Sequence, residues 1–204
     1  VPDYPEQITL SFRPQSPRSE EILHFSNTLA RDLGEVWRFT KKFCLLANLA
    51  TQTQTLIQPA AIYGTMTAVM YRLLRMEYAA GSLDETTRLG LLAFTHHTFL
   101  QWKDIHLPRH GFSVRYRRYL LDHQLEDLVP SHVMLWLLMT GAVSTLNISA
   151  EPWLTACLRR QMTSCGVKSW KDMQDALKVC MWIPLLSQER VKQIYEWLSA
   201  SSII

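Results

Sequence analysis

The stretch LDETTRLGLLAFTHHTFL, residues 83–100, decides the class of fold. Within it Leu89, Leu92, Ala93, His96, Phe99 and Leu100 recur at steps of three and four, the spacing that lines one face of an α-helix. Gly81-Ser82 breaks the chain ahead of it, and Asp84 and Glu85 stand in the first turn, where the helix dipole favours carboxylates. Working outward, the same period dominates. Ser19 reads as an N-cap before Glu20 and Glu21, and Ile22, Phe25, Leu29 and Leu33 follow at helical spacing. Pro59 suits the first turn of a helix over 59–77 that carries Ile62, Met66, Val69, Met70, Leu73 and Leu74. Further helices are predicted over 36–49, 115–128, 131–146, 150–164, 169–182 and 187–200. Strict alternation and hairpin dipeptides are missing, so the chain is expected to be all-α. The architecture that follows is one layered bundle of about nine helices over residues 19–204, behind an extended, proline-rich arm at 1–18.

Composition narrows the class further. Hydrophobic residues make up 48% of the 204 and charged residues 19%, which gives a folded domain with a large core and leaves room for an internal cavity. The net charge of +3 is too small for the electrostatic footprint of a nucleic-acid binder, so no direct DNA contact is expected. Cys44, Cys157, Cys165 and Cys180 lack the close pairing that a zinc cluster needs, and they read as reduced core residues in a cytosolic or nuclear protein. No metal or other cofactor is expected. The first 17 residues hold no apolar run of the kind a secretory signal requires. Residues 43–71 carry no charge and 133–146 are strongly apolar; glutamines and Pro59 in the first, and shortness in the second, argue for buried helices over membrane spans.

The last third carries a pattern of its own. Leu135-Trp136, Trp153, Ser169-Trp170 and Trp182-Ile183 appear in this order, each tied to a short amphipathic segment. Together with Leu83 to Phe94, this order resembles the effector region of fungal zinc-cluster transcription factors, over about residues 60–200. The cysteine cluster and basic linker of that family are missing from this chain, which is also shorter than the usual effector region. The resemblance implies an all-helical domain of fungal origin with an ancestry in transcriptional control; the leading expectation is a nuclear domain that senses a hydrophobic ligand or contacts the transcription machinery, with both a monomer and a homodimer through an exposed apolar face left open. Sterol-responsive members of the wider group hold a lipid in an apolar pocket of this domain.

Several residue groups are candidates for such a role. Met66, Met70, Phe94, Phe99, Trp102, Trp136 and Met139 supply a soft aromatic interior for a hydrophobic small molecule, or else ordinary core packing. The alternative function is a stand-alone cytoplasmic enzyme that cyclises or isomerises a terpenoid or polyketide without a cofactor. Its candidate catalytic residues are His96, the one of the adjacent histidines on the apolar stripe, together with Tyr119 and His123 at i, i+4. Trp136 would help to hold the substrate. Arg109, His110, Arg115, Arg117 and Arg118, interleaved with Phe112, Tyr116 and Tyr119, form a basic cluster that suits either base stacking or a solvated helix start. Phosphate loops, zinc pairs, nucleophile elbows and dinucleotide fingerprints are absent from the sequence.

Overall fold

A computed structural model of the chain describes residues 2–5, 16–99, 109–122, 125 and 128–200. Among them are nine α-helices and one 3-10 turn, with no strand. The helices are α1 (Pro17–Thr28), α2 (Arg31–Thr53), α3 (Pro59–Arg75), α4 (Leu83–Phe99) and α5 (Arg109–Leu120). They continue as α6 (Ser131–Ser144), α7 (Pro152–Ser164), α8 (Trp170–Cys180) and α9 (Pro184–Ala200). The all-α bundle expected from periodicity is the observed fold.

Two helices form the centre. In α6 every residue from His132 to Val143 is buried, as its apolar composition on all faces requires. It packs on α4, α5, α7, α8 and α9. Its neighbour α4 is buried from Glu85 to Phe99, although its sequence is amphipathic. The polar face of α4 is accommodated by internal pairing. Arg88 is held by Glu85, Thr95 donates its hydroxyl proton to the Leu91 carbonyl at 2.8 Å, and His97 pairs with Ser187. Gly90 lets α4 and α6 approach closely: a Cβ there would run into Leu137 Cδ2, with the Tyr116 hydroxyl 3.2 Å away.

Local boundaries follow capping chemistry. The first helix starts earlier than Ser19: Ser16 is the N-cap, accepting from the Ser19 amide at 3.2 Å, and Pro17 opens the helix. Proline is favoured there because its missing N–H is not needed in the first turn. The predicted 36–49 helix is the middle of the longer α2, which runs until Gln54 enters the left-handed region at φ 53°. The predicted 115–128 helix lies six residues earlier at its start and ends at Leu120, and Pro184 rather than residue 187 begins α9. At α8, Ser169 and Asp172 form a reciprocal capping box. The side-chain hydrogen bond from Ser169 and the backbone donors at Lys168 and Ser169 hold the Asp172 carboxyl below its ordinary value.

Tyr4 stacks on Phe39 of α2 with ring centres 3.7 Å apart, and the Arg72 guanidinium sits 4.2 Å above the same ring. The tryptophan series divides by depth. Trp136 and Trp182 are buried, while Trp153 and Trp170 are half-buried, the latter against Tyr195.

Candidate functional site

The expected interior pocket is filled. Phe94, Trp136 and Met139 do converge, together with His97, Trp182 and Ser187, but around a void of about 20 Å³. That is room for roughly one water and not for a ligand of ordinary size. Trp136 is edge-on to Trp37 at 5.1 Å and tilted on Phe94 at 5.8 Å, and its indole N–H donates to the Met181 carbonyl at 2.9 Å. These side chains are core because α4 and α6 pack too closely to leave more space. Met66 and Met70 are half-buried on α3 and line neither that void nor the clefts described below. Trp102 and His123 lie outside the described residues.

His96 and Tyr119 are both buried, and neither lines the internal void or the surface clefts. His96 was expected to be the buried member of its pair, but His97 is buried as deeply, because α4 is enclosed on every side. The ring Nε2 of His97 lies 3.0 Å from the Ser187 hydroxyl. Burial, with Arg190 and His96 adding to it, lowers His97 from its ordinary 6.5 to about 4. Two aromatics of the basic cluster, Tyr116 and Tyr119, turn inward among the described residues. Tyr116 points inward and donates to the Leu137 carbonyl at 2.9 Å, Tyr119 is buried, and Arg117 pairs with Glu151 at 3.2 Å. The side chains of Arg109 and His110 lie outside the description.

A pH dependence follows from His97. Its folded value is below its unfolded value, so between pH 6.5 and about 4 the unfolded chain binds the extra proton and stability falls as the solution is acidified. His132, also lowered, chiefly by burial, acts in the same direction. The expected loss attributable to His97 is roughly 2–3 kcal/mol across that window. Urea unfolding at pH 7 and pH 4 measures it, and His97→Gln should flatten the slope; an unchanged slope would refute the assignment.

An apolar cleft of about 400 Å³ opens elsewhere, at the surface. Phe43, Ala47 and Ala50 of α2 form one wall, and Ile62 of α3 and Phe99 at the end of α4 close it. Ile183 and Leu186, at the entry to α9, form the opposite side. Thr51, Gln54, Thr55 and Thr98 supply the polar groups, and no ionisable side chain lines it among the described residues. Of the expected pocket residues that are described, Phe99 alone is in this lining. The signal in the sequence was the charge-free run 43–71. It was expected to be buried, yet Leu49, Leu56 and Tyr63 are 47%, 98% and 53% exposed.

A second cleft of about 420 Å³ shares Thr51 and Leu185 with the first and is more polar. Lys41 lies in its wall, donating to the Val179 carbonyl at the end of α8 at 2.6 Å, and Asn48 donates to the Trp182 carbonyl at 2.7 Å. Burial pulls Lys41 below the ordinary lysine range, with Cys180 and Cys44 acting against that. Burial also pushes the thiols up, Cys180 to about 12 and Cys44 further, so both behave as the inert core residues expected.

Among the described residues, no cluster of three or more His, Cys, Asp or Glu side chains could hold a metal ion, and no helix is long and apolar enough to cross a membrane. The fold and the clefts thus define a helical bundle with an apolar surface site. No family model, curated protein or solved structure matches the chain.

Proposed function

We propose that the protein is a ligand-responsive binding module that takes a hydrophobic small molecule, acting as an effector domain of the kind found in fungal zinc-cluster regulators. The observation that supports this reading is the apolar cleft between α2, α3, α4 and α9. Its size of about 400 Å³ lies within the range of small-molecule sites, and its lining has the expected chemistry of apolar walls with a few hydroxyls and an amide. The hydroxyls and amide can orient a ligand, but they offer no acid–base pair for turnover, which favours binding over the enzyme alternative. The tryptophan order in the last third supports the effector-domain comparison. A ligand here would touch four helices at once and so favour the conformation in which they are closed around it. The nucleus and the transcription machinery belong to the same proposal.

Native mass spectrometry after incubation with apolar metabolites tests this. A retained, chemically unchanged ligand is expected, and at a hundredfold excess over Kd it should stabilise the fold by about 2.7 kcal/mol. Ala47→Phe, which projects a ring into the cleft from half-buried Ala47, should abolish that gain while leaving the helical content unchanged. Conversion of the metabolite into a new isomer would instead establish the enzyme reading.

A further inference from the structure

The polar rim of the apolar cleft belongs to the end of α2, where Thr51, Gln54 and Thr55 line it and are all exposed. The protons of both these hydroxyls are already engaged. Thr51 donates to the Ala47 carbonyl at 2.9 Å. Thr53 donates to the Leu49 carbonyl at 2.9 Å, and a hydroxyl carries a single proton, so in the 2.9 Å contact between Thr53 and Thr55 it is Thr55 that donates. Thr51 and Thr55 therefore offer the cleft lone pairs and no proton. Thr98, the other hydroxyl of the lining, is buried on α4 and has an interaction of its own. The backbone acts in the same sense. The Gln54 and Thr55 amides both close on the Ala50 carbonyl, so the carbonyls of Thr51, Gln52 and Thr53 lie past the last intrahelical bond. They give the end of this 23-residue helix its partial negative charge, and no basic side chain stands in the last turn to offset it.

We propose that the cleft selects a ligand whose polar end is a hydrogen-bond donor without negative charge, a hydroxyl or an ammonium, carried on an aliphatic body. This rests on the apolar cleft being the seat of the ligand. The donor end sits against Thr51, Thr55 and the end of α2, and the body lies over Phe43, Ile62 and Phe99. A donated proton meets lone pairs on either threonine, and the helix end favours the positive charge, partial or full, that the donor carries. A carboxylate meets the opposite: lone pairs face lone pairs beside the negative end of a helix, with no cation in the lining among the described residues. An ether places an acceptor where acceptors already stand, and at this rim only the Gln54 amide can serve it.

The test is calorimetric titration of the whole chain with octanol, octylamine, octanoate and methyl heptyl ether, the isomer of octanol that has no proton to donate. Octanol should bind about fivefold more tightly than the ether, the worth of one net hydrogen bond. Octanoate should bind most weakly. Octanol against octylamine then separates the two sources of the donor, the tighter of the pair naming it as hydroxyl or ammonium. Thr51→Val combined with Thr55→Val keeps the shape of both side chains and removes both acceptor oxygens, at exposed positions that leave the core untouched. In that variant the preference for octanol over the ether should disappear while the affinity for the ether stays the same. Octanol no tighter than the ether, octanoate as tight as octanol, or a preference that survives the double substitution would overturn the donor class and leave the apolar site standing. Failure of all four probes to bind would remove both.

Discussion

Trp136→Ala is expected to cost about 3–5 kcal/mol, the range for removing a large aromatic from a packed core. The side chain is 1% exposed and sits where α6 meets α2, α4 and the segment entering α9. Its loss leaves a cavity between Trp37 and Phe94 and strands the Met181 carbonyl, which accepts the indole N–H at 2.9 Å. For a chain of this length the midpoint of thermal unfolding should fall by about 10 °C. Trp153→Ala is the natural control, because Trp153 is half-buried on α7 and its N–H meets the nearby Glu151 carboxylate. A circular-dichroism melt of the two variants should separate them widely. Equal midpoints would refute the placement of Trp136 at the centre of the core.

Glu85→Ala should cost a comparable amount, about 3–5 kcal/mol, for a different reason. Arg88 and Glu85 form a two-pronged pair within α4, Nε to Oε2 and Nη2 to Oε1, both at 2.7 Å. The third contact, Nη1 to the Leu73 carbonyl at 2.9 Å, ties α4 to the end of α3. Removing the carboxylate leaves a guanidinium in a site where its side chain is only 10% exposed. The double replacement Glu85→Leu with Arg88→Met removes both charges and should recover most of the loss, since the desolvation penalty disappears with them. Chemical denaturation of the three variants checks this. A double variant no better than Glu85→Ala alone would show that the Leu73 contact, rather than the unpaired charge, carries the energy.

The helices were legible because their determinants are local. The 3.6-residue period, the first-turn carboxylates of α4 and the proline at 59 each act within one or two turns of chain. The candidate site was legible only in its chemistry. An apolar ligand surface was expected from Met66, Met70, Phe94, Trp136 and Met139, but the last three close on one another at the α4–α6 contact. The surface cleft instead uses Phe99 together with smaller residues such as Ala47 and Ala50, whose role at a wall depends on which helices face them. Neither alanine carries a signal that distinguishes a cleft from a core.

The same contrast holds for α4. Its sequence shows one apolar stripe and a polar face, which for an isolated helix means half burial. The tertiary structure encloses it completely, because Arg88 finds Glu85 and the Leu73 carbonyl, and His97 finds Ser187 some 90 residues away. By itself, then, the sequence determined the all-α class, most helix positions and the core placement of Cys44, Cys165 and Cys180, though not that of half-buried Cys157; what it did determine follows from short-range periodicity, capping and composition. Only the tertiary structure decided which aromatics fill the core, that His97 meets Ser187, and where two clefts meet across Leu185. Those outcomes depend on the packing of helices distant in sequence, and cavity volume and desolvation are properties of that packing alone.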